Sequence, residues 1–236
     1  MSCFFRVLVG TALLACVGAN AQEVTLTARA RVLQDEHKES SRAENVVVWL
    51  TPIDRQPGAS PPSQNLRLTQ HNKSFEPHLL VVPVGAVVQF PNRDPFFHNV
   101  FSLFEGKRFD LGLYEAGSTR NVSFDRPGIS YIFCNIHAEM GAVVIALETP
   151  YFAISNHKGE IVIPHVPVGR YMMKVWYETA EPQSLDAMTR EITVSEASST
   201  LGLLQISAAP AASAHKNKYG MDYEPPAPND PAYSHQ

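Results

Sequence analysis

A thiol, an imidazole and a thioether fall within one short stretch, Tyr131-Ile132-Phe133-Cys134-Asn135-Ile136-His137-Ala138-Glu139-Met140. The spacing C-x2-H-x2-M, just beyond an aromatic and β-branched run, lets one tight loop aim all three donors at a single point. Two soft sulfurs with an imidazole select copper, whereas zinc sites usually add more Cys, His or carboxylate ligands. The loop needs one more imidazole from elsewhere. His98 supplies it in Pro95-Phe96-Phe97-His98-Asn99-Val100, at the start of a strand after a turn. Two histidines and one cysteine in a trigonal set, with Met140 as a long axial ligand, make the blue-copper geometry.

Cys134 is the first residue to explain, because the chain has three cysteines and the other two, Cys3 and Cys16, fall in an N-terminal segment that reads as a secretory signal peptide. That segment carries Arg6, an apolar run from Val7 to Val17, and Ala19-Asn20-Ala21, a small-x-small cleavage pattern. Cleavage after Ala21 leaves Cys134 as the one thiol, without a disulfide partner, in an oxidising compartment where a bare thiol is a liability. A competing reading takes Leu13-Leu14-Ala15-Cys16 as a lipoprotein box that leaves a lipidated Cys16. Either way the expected location is periplasmic or otherwise exported. Nothing later approaches the run of about 20 apolar residues that a membrane-spanning helix needs. The plainer readings are that Cys134 is a buried core thiol and Met140 a core gap-filler. The donors clustered around them favour ligation.

Stepping outward from these residues, the surrounding chain must position them. Its 19 Lys and Arg against 23 Asp and Glu give a formal charge of -4, with no basic block, which excludes nucleic acid as a partner. Val24 to Val32 alternates strictly, and Asn45 to Leu50 is a short β-branched run; both read as strands. From Leu66 the strand signals are dense: Leu66 to Thr69, Leu79 to Val82, Ala86 to Phe90, Val100 to Leu103, Ser118 to Phe124, Ser130 to Phe133 and Ala142 to Leu147. Turn sequences such as Asp125-Arg126-Pro127-Gly128 punctuate them, which suits a β-sandwich or barrel. Further strands are predicted at Tyr151 to Ile154, Gly159 to Ile163, Gly169 to Trp176, Glu191 to Val194 and Leu201 to Ile206. No amphipathic helix pattern holds for three turns. From Ser207 the composition favours disorder or an extended tail.

The segments Phe75-Glu76-Pro77, Val82-Pro83-Val84-Gly85-Ala86-Val87-Val88-Gln89-Phe90, Pro91-Asn92, His98-Asn99-Val100 and the Cys134 loop resemble the cupredoxins, plastocyanin and amicyanin, in order and spacing. The short Cys134-to-Met140 loop is similar to that of amicyanin, the methylamine-utilisation carrier, but has Ala138-Glu139 where such loops often have Pro and an apolar residue. A second resemblance is carried by Gly159-Glu160-Ile161-Val162-Ile163-Pro164-His165-Val166-Pro167-Val168-Gly169-Arg170-Tyr171. It is similar to a run in carboxypeptidase regulatory-like and carbohydrate-binding-like sandwiches. Val46 to Leu50 looks like the opening of the same module. The first unit is then either inserted between two halves of the second, or extended by the N-terminal strands.

These resemblances imply an all-β chain, a Greek-key cupredoxin sandwich plus a smaller β-sandwich unit. The implied organisation is a signal peptide (1–21), N-terminal strands (22–64), the cupredoxin unit (65–148), the second unit (149–206) and a disordered tail (207–236). They also imply one type 1 copper ion on His98, Cys134, His137 and Met140, and single-electron transfer rather than catalysis. In that family the loop histidine is the electron port, here His137, within a patch drawn from Pro95, Phe96, Ile136, Ala138 and Gly141. The implied partners are redox proteins such as a periplasmic dehydrogenase or a c-type cytochrome. Three rivals stand beside this reading. A copper enzyme needs a second copper site, usually in His-x-His pairs, which the sequence lacks. A binding module would use the second sandwich to hold carbohydrate or a cell-envelope partner, with Trp49 and Trp176 as stacking platforms instead of core anchors. Copper storage or delivery is the third.

Overall fold

The protein is described by a computed structural model covering residues 22–35, 38–39, 43–58, 66–103, 106–210 and 214–223. The signal-peptide and lipoprotein-box readings, Cys3, Cys16, His37 and His235 all lie outside the described residues. No helix among the described residues is long and apolar enough to cross a membrane.

Among the described residues the chain is all-β apart from one short helix. The strands before the ligand loop are β1 (Glu23–Asp35), β2 (Lys38–Glu39), β3 (Val47–Pro52), β4 (Thr69–His71), β5 (Ser74–Glu76), β6 (Leu79–Pro83), β7 (Ala86–Pro91), β8 (His98–Ser102), β9 (Phe109–Tyr114), β10 (Thr119–Phe124) and β11 (Gly128–Cys134). After it come β12 (Gly141–Leu147), β13 (Phe152–Ile154), β14 (Glu160–Pro167), β15 (Gly169–Trp176), the helix α1 (Pro182–Met188), β16 (Arg190–Val194) and β17 (Thr200–Ser207).

Strands β4 to β12 form one sandwich. One layer is the five-stranded sheet β6-β12-β11-β8-β9, and the other holds the β10-β7 pair and the β4-β5 hairpin. Between them lies a core of Leu68, Phe75, Val88, Phe90, Phe124, Ile132 and Val144, which also contains Cys134 and Met140. Strands β8 and β11 run antiparallel, with Cys134 opposite Val100 and Phe133 opposite Phe101. That register brings His98, the first residue of β8, alongside the end of β11 although 36 positions separate it from Cys134.

The remaining strands build a second sandwich from both ends of the chain. Strand β1 pairs antiparallel with β14 and parallel with β17, while β3 lies between β13 and β15, with β16 beyond. The alternation of β1 puts Leu26, Ala30 and Val32 inward, against Val48, Leu50, Ile161, Tyr171 and Leu204. Gly159, at the turn into β14, has φ +74°, and a Cβ there would sit 2.3 Å from the Ala30 carbonyl oxygen, so only glycine fits.

The two units share a third apolar cluster of Val47, Leu79, Val143, Ile145, Leu147 and Trp176. Strand β12 explains how. Its even positions, Ala142, Val144 and Ala146, face the first core, and its odd positions, Val143, Ile145 and Leu147, face the second unit. A strand buried on both faces reads as a continuous apolar run rather than an alternating one. Trp176 is therefore a core anchor. His78 spans the same junction: its Nδ1 lies 3.0 Å from the Gly141 carbonyl and its Nε2 2.6 Å from Glu178.

Four elements escaped the sequence reading, among them the two-residue strand β2. Strand β5 is three residues long, β9 carries Gly112 within its short run, and α1 has only two turns. The expectation of a disordered tail from residue 207 is corrected for residues 214–223, which pack on the first sandwich through specific side chains described below.

The strand pairing has a direct consequence. A chain ended after Glu148 keeps β1 and β3 but loses β13 to β17; of the ladder partners of those two strands only β2, which pairs with β1, remains, and Val48 and Leu50 face β1 alone. It should lack a cooperative denaturation transition in the second unit and aggregate on purification. A segment spanning 66–148 keeps the whole first core and should unfold cooperatively, at a lower midpoint than the full chain. Equal stability of the Glu148-ended chain and the full chain would contradict this.

Candidate metal centre

The site is assembled from a turn, a strand end and a hairpin loop. In the turn before β8, the Asn92 Oδ1 accepts the Asp94 N–H at 3.0 Å and its Nδ2 donates to the Phe96 carbonyl at 2.8 Å. Such Asx closures are the common use of Asn in turns. Asp94 is buried, at 3% exposure. It accepts the N–H groups of Asn72 at 2.6 Å and Lys73 at 3.0 Å, the two left-handed residues that turn β4 into β5. Asp94 Oδ2 also takes a hydrogen bond from His98 Nε2 at 2.8 Å. An ionised carboxylate can only accept, so the proton sits on Nε2 and Nδ1 keeps its lone pair.

That lone pair faces sulfur. His98 Nδ1 lies 3.5 Å from Cys134 Sγ, and His137 Nδ1 lies at the same 3.5 Å on another side. The three donor atoms fall within 4.8 Å of one another. Bonds of roughly 2.0 Å to imidazole nitrogen and 2.3 Å to thiolate sulfur, opened to a trigonal or tetrahedral angle, place the two donors about 3.5–3.7 Å apart. The spacing thus matches donors that share one metal ion. The loop is closed by its own backbone: Cys134 N–H donates to the Met140 carbonyl and Met140 N–H to the His137 carbonyl, each at 3.2 Å, while Asn135 N–H donates to Asn99 at 2.8 Å. Met140 is buried in the same core as Cys134.

Electrostatics follow from burial. Burial pushes the Cys134 thiol up, against the backbone N–H groups of Asn99, Ile136 and His137. Such N–H groups would stabilise a thiolate once a cation removes the proton. Burial, with the neighbouring His98 and Lys73 charges, pushes His137 down to about 4. Burial also lowers His98, more than Asp94 raises it. For Asp94, burial acts upward, but hydrogen bonds from Lys73, His98 and Asn72 outweigh it and hold the carboxyl below its ordinary range. Both imidazoles are consequently neutral near pH 7, the form that ligates a metal.

Of the residues singled out from the sequence, the structure brings together His98, Cys134 and His137, with Met140 closing the loop. His71, His78 and His165 lie elsewhere, beside Glu76, Glu178 and Glu23. Three contributors were missed. Asp94 stands four residues before His98, but that spacing in a turn predicts no contact. His215 and Tyr223 sit in a stretch whose composition reads as tail. Phe96 fills the space beside the imidazoles, its ring centroid 5.3 Å from His98 and 5.6 Å from His137.

No known family model matches the chain, and no curated protein matches it. Several solved structures are similar to part of it. A copper-containing nitrite reductase from Thermus scotoductus is 23% identical, with 41% of this chain covered and a TM-score of 0.34. The chain spans 25% of that reductase. A purple cupredoxin from Nitrosopumilus maritimus is 22% identical over 34% of this chain and 98% of its own, with a TM-score of 0.32. An amicyanin variant in its Cu(I) form is 15% identical over 42% of this chain and 98% of its own, with a TM-score of 0.34.

Two outcomes follow from the geometry. Carboxylates that hold a ligating histidine commonly contribute about 10–100-fold to metal affinity. Asp94→Asn should therefore weaken Cu(II) binding by a factor in that range in competition titrations, and unchanged affinity would refute the role. The second concerns the metal-free protein. Because the folded His137 is pushed below the ordinary histidine value, the unfolded chain binds its proton first as pH falls. Stability is full above about pH 6.5 and declines toward pH 4, and His137→Gln should flatten that part of the urea-midpoint profile. Identical profiles for the two proteins would contradict it.

Proposed function

We propose that this protein is an exported blue-copper electron carrier, with one copper ion bound by His98, Cys134 and His137 and weakly by Met140. The observation that carries the reading is the pair of imidazole nitrogens, each 3.5 Å from a single buried cysteine sulfur, with the carboxylate of Asp94 fixing the tautomer of one of them. A thiolate, two imidazoles and a nearby thioether form a donor set that suits copper and disfavours the harder ions.

Copper held there supplies one-electron chemistry, cycling between Cu(I) and Cu(II). The chain's own residues do the rest. His98 and Cys134 are fixed by strands β8 and β11, so neither backbone needs to move when charge changes. Phe96, Ile132 and Phe90 contribute to an apolar surround that keeps water from the sulfur. His137 is the least buried of the three donors, at 9% exposure, which supports its role as the electron port. Exposed Pro95 and Phe97, flanking Phe96, extend an apolar rim suited to a docked redox protein. The class of partner this reading names is a periplasmic dehydrogenase or a c-type cytochrome. The flanking sandwich is a scaffold in which the copper unit is inserted.

Voltammetry of the copper-loaded protein tests the assignment. A single reversible one-electron wave is expected. Met140→Gln should retain copper and lower the potential, because an amide oxygen favours Cu(II) over a long thioether. His137→Gly should lose the wild-type spectrum and slow electron exchange with a cytochrome c, and added imidazole should restore much of both. A Met140→Gln potential equal to wild type, or a native spectrum for His137→Gly without imidazole, would withdraw the corresponding ligand.

A further inference from the structure

Residues 214–223 cross the outside of the ligand loop and bond to its main chain. Tyr223 donates its hydroxyl to the Cys134 carbonyl at 2.5 Å. His215 N–H donates to the Ala138 carbonyl at 3.0 Å, and the His215 ring lies between two carbonyls, Nε2 3.2 Å from that of His137 and Nδ1 2.8 Å from that of Lys216. Lys218 N–H donates to the Asn135 side-chain oxygen at 2.9 Å. The His215 ring stacks on Phe133, with centroids 4.3 Å apart and planes 27° from parallel. Lys218 Nζ pairs with Asp110 at 2.8 Å, and the same carboxylate accepts the Asn99 side chain at 2.7 Å, next to His98. The segment keeps its own shape through Asn217, whose side-chain oxygen accepts the N–H groups of Tyr219 and Met221.

We infer that this segment is a strap that clamps the ligand loop, with His215 and Tyr223 as positioning residues that slow the release of the bound metal. It rests on the copper reading above, and it adds to that reading a part of the chain remote in sequence. The contacts fall on the backbone of Cys134 and His137 themselves, and reach the neighbour of His98 through Asp110. Contacts of this kind join residues 78 and 89 positions apart, so chain connectivity alone does not bring them together. The loop's own closure is two hydrogen bonds of 3.2 Å, between Cys134 and Met140 and between Met140 and His137. A ligand can leave only if such a loop opens, and each strap contact must then break as well.

The clamp is tested first without copper. Amide hydrogen exchange of Asn135 and Met140, both hydrogen-bonded within or beside the loop, reports its opening. In the full-length double variant His215→Ala with Tyr223→Phe, those two amides should exchange about tenfold faster or more, the loss expected for two hydrogen bonds and a ring stack. Amides in the middle of β11 and β12 should be unchanged, which separates the clamp from general destabilisation. His215→Phe, which keeps the stack, should recover part of the protection. In the copper-loaded protein, release to a competing chelator should accelerate in the double variant. Wild-type exchange at Asn135 and Met140 in the double variant would overturn the clamp, and unchanged copper release would overturn its effect on the metal. A wild-type protein that takes up no copper would sink the copper reading, while the exchange data would still decide the clamp.

Discussion

Burying a carboxylate, two imidazoles and a thiol together at one end of a β-sandwich is costly unless each finds a matched partner, and the arrangement of the first unit follows from that constraint. Asp94 is the pivot. Its charge is satisfied by two backbone N–H groups of the β4-β5 turn and by the His98 ring, so a hairpin in the sheet layer opposite β8 holds the carboxylate that fixes the His98 tautomer. Asn92 holds the same turn from the other side. Once His98 is oriented, its Nδ1 has a single direction, toward Cys134, whose place is set by the β8-β11 register. His137 is placed in turn by a loop that closes back on Cys134.

The second sandwich matters to the site through rigidity. Strand β12 begins at Gly141, immediately after Met140, and is buried on both faces because the two units pack against it from opposite sides. His78 reinforces the junction by bonding to the Gly141 carbonyl and to Glu178, and the hydrogen bond that the Glu178 carboxylate accepts raises the His78 pKa above its ordinary value. The end of the ligand loop is therefore anchored in an apolar seam rather than on a free sheet face. Strands packed on both sides hold that end of the loop in place.

Much of this was legible from residues alone, for reasons that differ by region. The clustering of His98, Cys134 and His137 could be read because thiol, imidazole and thioether crowd one loop and His98-Asn99-Val100 follows a turn at the start of a strand. Strands with strict alternation, such as β1, or with dense β-branched content, such as β12, were equally plain. Asp94 was not, because a carboxylate four residues from a histidine implies contact only on a helix, and here a turn makes it. Strand β9 was hidden by Gly112, and α1 by its shortness. Residues 214–223 were misread for a deeper reason: composition reports whether a segment can build its own core, and this one borrows a surface from Phe133 and the loop carbonyls.

The central claim is that one cysteine sulfur and two imidazole nitrogens share a single copper ion. Titrating the metal-free protein with Cu(II) while recording visible absorption and electron paramagnetic resonance tests it most directly. The account predicts saturation at one equivalent, with an intense thiolate-to-copper charge-transfer band that is absent in Cys134→Ser. Stoichiometric copper uptake by a protein that stays colourless, or the same band in Cys134→Ser, would contradict it.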